Sequence, residues 1–313
     1  MGIKMSVVSL NLALSNRCTA NCTYCPEERG ERDSNHMSID VIKCVVNQVK
    51  NDAYFSSIKK IQVGENGDAL LNPDFISILK ILKRELPAIK INLTTNMSLL
   101  GRGLSEYILK EQLIDSLQLN IDGHDAITYE AQKHISYYNV MRNLHDYIDL
   151  RKTICPQFPI GINVLTLSDY CETINKRFGQ QPIKAPEIVP TSSFEQVRES
   201  LSWLPASVPI RKSPIFAWAE RGLDKVVDLS RYQCPQLPRI ETEIFISPSG
   251  LWYPCCLDSN QDQAYGNILE QSLYALYHSP KRLLLLERLR NKQFSEIGYP
   301  CIRVPFCVCG VVS

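Results

Sequence analysis

The tightest constraint on this chain is the spacing of three cysteines in Asn16-Arg17-Cys18-Thr19-Ala20-Asn21-Cys22-Thr23-Tyr24-Cys25, a C-x3-C-x2-C run. It follows directly on an apolar stretch, 7–14, in which Val8, Leu10, Leu12 and Leu14 alternate as one face of a strand. Three thiolates on one short loop can hold three corners of a cubane [4Fe–4S] cluster, because thiolate is the usual ligand for such iron. With no fourth cysteine nearby, the fourth iron is left open and can bind and reduce a small molecule. A structural zinc site would instead want a fourth Cys or His close by. The nearest candidate, His36, lies eleven residues on.

Length and charge narrow the partners. A chain of 313 residues allows one large α/β domain, or a large one with a small one. Its 34 basic and 33 acidic residues leave a net charge of +1, so there is no electrostatic footprint for nucleic acid. No apolar run approaches eighteen residues and no signal-peptide core follows Met1, so the reading is a cytoplasmic protein with no membrane partner. Twelve cysteines without a secretion signal point to metal before disulfides.

Downstream, the pattern alternates. Ser38 caps a helix running to about residue 49, with Asp40 in its first turn and an apolar stripe at Val41, Ile42, Val45, Val46 and Val49. Strands are predicted over 60–63, 90–95, 116–123, 159–165 and 187–190. Helices are predicted over 75–86, 104–112, 125–133, 137–151 and 168–178. Such a rhythm argues for a parallel sheet with helical crossovers. It breaks over 192–232, where Pro205, Pro209 and Pro214 accompany Trp203 and Trp218; this is a bridging segment or a simple linker.

The cysteine loop, with Tyr24 just before its third cysteine, resembles that of the radical S-adenosylmethionine (SAM) superfamily. Three further strand ends agree. Gly64-Glu-Asn-Gly67-Asp68-Ala69-Leu-Leu resembles the Gly-Gly-Glu-Pro segment that cradles the SAM amino group, with Asp68 for glutamate and Ala69 for proline. Thr95-Asn96 resembles Thr-Asn-Gly, with Met97 for glycine. Asn120-Ile-Asp122-Gly123 resembles Ser-Ile-Asp-Gly, whose polar groups meet the ribose. The resemblance implies an α/β fold, the open partial (β/α)6 barrel, over 1–191. Its site lies at the C-terminal ends of the strands. It also implies that Cys18, Cys22 and Cys25 hold the SAM-binding cluster, and that Tyr24, Gly67, Asp68, Thr95, Asn96, Asn120 and Asp122 hold SAM.

After residue 233 the chain becomes cysteine-rich, with six of the twelve cysteines in the last eighty residues. Cys234, Gly250 and Cys255 fit the opening of the SPASM and twitch accessory domains. Between them, 243–254 reads as a hairpin turning at Pro248-Ser249-Gly250. Gly266-Asn-Ile resembles the next segment of that domain. The resemblance implies one auxiliary [4Fe–4S] cluster in 234–313, held by Cys234, Cys255 and two of Cys301, Cys307 and Cys309. A zinc-ribbon-like site would use the same thiolates. Cys44, Cys155 and Cys171 read as buried apolar residues.

The family implies SAM cleavage to a 5′-deoxyadenosyl radical that takes hydrogen from a C–H bond, with a flavodoxin or ferredoxin as electron donor. With the cluster loop beginning at residue 18, the expected substrate is a sugar, an aminoglycoside or a short peptide. In sulfatase-maturing relatives an aspartate base follows the second auxiliary cysteine. Here that place holds Cys256, with Asp258 two residues on. A thiol is a ready hydrogen-atom donor, so Cys256 marks an epimerase. Equally, Cys256 is a small buried residue or a substitute ligand for Cys255. Dehydrogenation with the auxiliary cluster as electron acceptor, peptide maturation, and a non-catalytic iron–sulfur or zinc scaffold are the other readings.

Overall fold

The computed structural model describes residues 7–25, 36–165, 190–213 and 233–302. In chain order the elements are β1 (Ser9–Leu12), α1 (Ile39–Asn51), β2 (Lys60–Val63), α2 (Phe75–Glu85), β3 (Lys90–Thr95), α3 (Arg102–Lys110), β4 (Ser116–Asn120), α4 (Ala126–Lys133), α5 (Tyr137–Ile154) and β5 (Ile160–Val164). Then come α6 (Phe194–Ser200), β6 (Ile210–Lys212), α7 (Leu237–Thr242), β7 (Glu243–Ile246), β8 (Leu251–Tyr253), β9 (Gly266–Asn267), α8 (Leu273–Tyr277), α9 (Pro280–Arg290) and α10 (Phe294–Ile297). Two compact units divide them. One comprises Met1–Cys18, Glu28–Leu93 and Gly222–Cys307; the other comprises Thr19–Glu27, Thr94–Arg221 and Val308–Ser313.

In the first unit β1 lies at the centre of a mixed sheet. It pairs in parallel with β2 (Ser9↔Lys60) and, on its other side, with β7 (Ser9↔Glu243). β3 continues the parallel edge beyond β2, while β8 and β9 fold back antiparallel beyond β7. All four β1 residues are buried, as a strand covered on both faces requires. The predicted hairpin is present, with Gly250 in the left-handed region at φ +87°. Its first strand extends the sheet that carries the cysteine loop, a pairing between residues over 230 positions apart that no local pattern reveals. Ser38 accepts from the Val41 N–H and caps α1, whose stripe Val41, Ile42, Val45, Val46 and Val49 is buried.

The second unit holds β4, β5 and β6 in parallel (Leu117↔Ile160, Ile162↔Ile210), together with α3 to α5. Asp125 and Thr128 close a reciprocal capping box at the start of α4. The stretch read as a bridge contributes α6, capped by Ser193, and β6 against β5. Three residues, two of them exposed, are too few to show a period, so the strand was invisible in sequence. The helix expected over 168–178 and the strand expected over 187–190 fall, but for Pro190, outside the described residues.

In the first unit the helical hairpin α8–α9 turns on a buried cation. Arg282 donates to the carbonyls of Tyr277, Ile240 and Glu241 at 3.0, 3.3 and 3.2 Å, and lies 3.8 Å from the centre of the Tyr277 ring. Arg282→Ala should therefore cost on the order of 3 kcal/mol, by stranding buried carbonyls and opening a cavity. A urea melt monitored by far-UV circular dichroism checks this.

Candidate functional site

The cysteine loop divides between the two units at Cys18–Thr19. On the first unit's side, the approach to Cys18 is clasped by the segment after β2. The Asp68 N–H donates to the Arg17 carbonyl at 2.8 Å, and a Cβ on Gly67 would stand 2.2 Å from the Ser15 carbonyl oxygen and 2.8 Å from that of Arg17. Only glycine permits this approach. Asp68 is buried and caps the short turn Ala69–Leu71, accepting from the Leu70 N–H at 3.1 Å. Both residues thus brace the loop.

In the second unit Cys22 and Cys25 are buried, in a turn closed by the Cys25 N–H on the Cys22 carbonyl at 2.9 Å. The loop rests on the last turn of α4. There the carbonyls of Lys133 and Gln132 accept from the N–H groups of Asn21 and Thr23 at 3.1 and 2.9 Å. Gly123 lets that helix close in, since a Cβ there would lie 2.3 Å from the Tyr129 nitrogen. Beneath the loop Asp122 is fully buried: it pairs with the Lys133 ammonium at 2.6 Å, takes the Tyr24 hydroxyl, and accepts the Leu165 N–H at 2.9 Å. Burial, followed by the Asp122 charge, holds the Tyr24 phenol well above its ordinary range, so Tyr24 is the donor. Asp122, a ribose contact by resemblance, has its carboxylate engaged by these three groups of the protein.

The β3 end is tied to the same loop. Asn96 donates to the Thr19 hydroxyl at 2.9 Å and accepts from the Ser98 N–H at 2.9 Å, while Thr19 and Ser98 share a 2.7 Å hydrogen bond. Thr95 accepts from the Met97 N–H at 3.1 Å. Met97 stands at φ +72°, the left-handed conformation that suits the glycine of the resembled motif, and costs on the order of 1 kcal/mol as a larger residue. Asn120 is half-buried at the tip of β4.

The C-terminal cysteines part company. Cys234, Cys255 and Cys301 line one apolar cavity with Ile240, Leu285, Leu289 and Phe294. Burial pushes the Cys234 thiol up to about 11, and those of Cys255 and Cys301 also rise. Binding iron would therefore release protons there. Cys256 does not line that cavity. The Cys255 carbonyl accepts the Asp258 N–H at 3.0 Å, and at this turn Cys256 meets Arg239, whose guanidinium lies 3.9 Å from its sulfur. Arg239 also grips Glu243 at 2.9 Å and Glu65, just beyond β2, at 3.0 Å. Burial alone would depress Arg239, but Glu65, Cys256 and Glu243 outweigh it and keep it charged. Burial raises the Glu65 carboxyl against the pull of Arg239. Asp258 is spent on its own loop, accepting from the Asp262 and Gln263 N–H groups at 3.0 Å each. Cys307, Cys309 and Cys171 lie outside the described residues. Cys44 and Cys155 are half-buried rather than buried, and Cys44 donates to the Ile268 carbonyl at 3.2 Å.

Among the described residues no three of His, Cys, Asp and Glu gather tightly enough for one metal ion. A cubane distributes its thiolates over separate irons, and three thiols around an apolar cavity suit it.

The model of the family described as the radical SAM superfamily matches residues 12–176, just over half of the 313. The chain belongs to the radical SAM superfamily. A second match, an iron–sulfur cluster-binding domain of SPASM type, covers 234–301. As a radical SAM protein it uses a [4Fe–4S] cluster and SAM, and the SPASM domain adds auxiliary iron–sulfur binding. A probable GTP 3′,8-cyclase of Methanocella arvoryzae (strain DSM 22066 / NBRC 105507 / MRE50) is 26% identical over 163 residues, 51% of this chain and 48% of that protein. The chain thus spans about half the length of the curated relative it matches. Among solved structures, BtrN in complex with AdoMet and 2-DOIA has a TM-score of 0.55 at 14% identity, over 96% of this chain and 91% of that one. For anSMEcpe with bound AdoMet the values are 0.59 and 16%, over 90% and 83%. For Streptococcus suis SuiB bound to precursor peptide SuiA they are 0.58 and 16%, over 90% and 67%. These likenesses establish the fold: the radical SAM partial barrel, its sheet open, with a small C-terminal domain.

Lys133, Glu65 and Arg239 escaped the sequence reading. Lys133 looked like an ordinary cation in the last turn of a helix, and Arg239 stood alone before a hairpin. Replacing Cys18, Cys22 and Cys25 together by alanine should abolish SAM cleavage and leave roughly four irons per chain, the content of one cubane. Replacing Cys234, Cys255 and Cys301 should leave the complementary four. Iron analysis of anaerobically reconstituted protein checks both.

Proposed function

We propose that this radical SAM enzyme is an epimerase of a small polar substrate, a sugar, an aminoglycoside or a short peptide, with Cys256 as its hydrogen-atom donor. The observation that carries the reading is the opposite setting of two neighbouring thiols. Cys255 lines the apolar cavity with Cys234 and Cys301, whereas Cys256 meets Arg239 and the Glu65 network beyond β2. Both substrate classes suit the fold, since similar structures carry 2-DOIA in one case and the peptide SuiA in another.

When bound at Cys18, Cys22 and Cys25, the cluster and SAM supply the deoxyadenosyl radical that takes one hydrogen from a substrate carbon. Gly67, Asp68, Thr95 and Asn96 brace the loop that presents these ligands, and half-buried Asn120 offers donor and acceptor groups to SAM. Cys256 then gives its S–H hydrogen to the opposite face of that carbon: the S–H bond breaks and a C–H bond forms with inverted configuration. Sulfur is left one electron and one proton short of a thiol. A low-potential carrier of flavodoxin or ferredoxin class returns the electron, and water the proton. Arg239, fixed by Glu243 and Glu65, holds the sulfur in place throughout.

A second reading, dehydrogenation of an alcohol to a ketone, is favoured by the three-thiol cavity, because an iron–sulfur cluster bound there is a one-electron acceptor.

Turnover in D2O should place one non-exchangeable deuterium at the inverted centre, since thiol hydrogens exchange with solvent. Cys256→Ala should still form 5′-deoxyadenosine but little inverted product. Product two hydrogens lighter than substrate, made equally well by Cys256→Ala, would sink the epimerase reading and leave dehydrogenation. Mass spectrometry distinguishes the outcomes.

A further inference from the structure

The segment after β2 presents acceptors that the first unit leaves open. Glu65 gives Oε1 to Arg239 at 3.0 Å, while its Oε2 is buried without a hydrogen-bond partner among the described residues. Next to it, Asn66 donates its side-chain N–H to the Tyr253 hydroxyl at 3.0 Å, and its Oδ1 is likewise buried and unpartnered. The two side chains reach the same side of the sheet. Arg239 lies 5.1 Å from the centre of the Phe245 ring, and that ring is 5.8 Å from the ring of Tyr253. Buried acceptors without donors are costly, so a pair of them calls for a ligand rich in N–H or O–H groups.

Charge narrows that ligand. Glu65 and Glu243 share the one guanidinium of Arg239, so the three groups carry one net negative charge. Glu243 takes a further donor from Asn11 at 2.9 Å, which leaves Glu65 as the open corner. A cation completes the set. Among the described residues no group of His, Cys, Asp and Glu suits a metal ion, whereas a protonated amine brings one positive charge and several N–H donors. The same guanidinium stands 3.9 Å from the Cys256 sulfur. A cation on Glu65 is thus one side chain away from that thiol.

We propose that Glu65 and Asn66 form an amine-recognition subsite, which takes a primary ammonium carried by the substrate beside Cys256. The inference rests on the reading that the substrate meets Cys256, and it narrows that substrate to an amine-bearing small molecule rather than a neutral sugar.

The experiment is isothermal titration calorimetry of the reconstituted holoenzyme with SAM, at neutral pH and without oxygen. The probes are three pairs that differ only in amine against hydroxyl: glucosamine and glucose, streptamine and scyllo-inositol, alaninamide and lactamide. At least one amine should bind about tenfold or more tightly than its alcohol, the scale of a hydrogen bond to a charged group. Glu65→Gln keeps an oxygen for Arg239 but sets an NH2 donor in place of Oε2, and should abolish that preference. Asn66→Gly suits the backbone at φ +60° while removing Oδ1, and should weaken it. Iron content equal to the parent's shows that each variant has folded; should Glu65→Gln lose iron, Asn66→Gly decides alone. Amines that bind no more tightly than their alcohols, or a preference that survives both variants, overturn the proposal. Loss of the preference in the variants together with product two hydrogens lighter than substrate would sink the epimerase reading and leave the subsite standing. Deuterium at an inverted centre with no amine preference would do the reverse.

Discussion

In the second unit most of what surrounds the cysteine loop depends on one buried carboxylate. Asp122 has no exposure and answers to an ammonium, a phenol and a backbone N–H. Each partner comes from a different part of the chain: the end of α4, the cysteine loop, and the residue after β5. Such a group is costly to bury and is tolerated because every oxygen is engaged. Taking away Lys133 alone would leave the carboxylate uncompensated, a loss of about 3–5 kcal/mol. The register of the loop on α4 thus inherits the precision of a saturated ion pair rather than of the loop's own backbone.

The first unit solves a similar problem with arginine. Arg239 crosses from α7 to Glu243 on β7 and to Glu65 beyond β2, and stacks over Phe245 at 5.1 Å. Asn11 of β1 donates to the same Glu243 at 2.9 Å. The network therefore stitches the junction at which the C-terminal strands join the sheet. A planar guanidinium serves two carboxylates and a sulfur at once, which an ammonium could not do with the same geometry. Tyr253, donor-capable and buried, closes the neighbouring contact by accepting from Asn66 at 3.0 Å.

The parts that were legible in sequence are those written in local chemistry. The cap at Ser38, the stripe of α1, the strand 60–63 and the hairpin around Gly250 all appear as read, because each depends on neighbours a few residues apart. The family was legible for the same reason, the cysteine spacing and strand-end motifs being short. What escaped depends on distant partners. The pairing of β7 with β1 joins Glu243 to Ser9, and nothing in either strand advertises the other. Asp122 was legible as part of a motif, but its contacts with Lys133 and Leu165, eleven and forty-three residues away, were not. β6 was missed because a three-residue edge strand has no period to detect.

The adjacent thiols Cys255 and Cys256 show how a fold can make different chemistry from identical side chains. In a continued strand, neighbouring side chains would face opposite sides of the sheet and the direction of each would be fixed by the pleat. Here β8 has ended at Tyr253, and the turn closed by Asp258 sets the two directions instead. Cys255 is committed to apolar walls contributed by α7, α9 and α10, surroundings that raise a free thiol and keep it neutral until a metal displaces its proton. Cys256 is committed to a guanidinium whose own charge is already matched by Glu65 and Glu243. That difference in surroundings is what separates the two thiols. A guanidinium gripped by two carboxylates is a fixed point, so the turn that sends Cys255 among apolar walls sends its neighbour to a polar anchor.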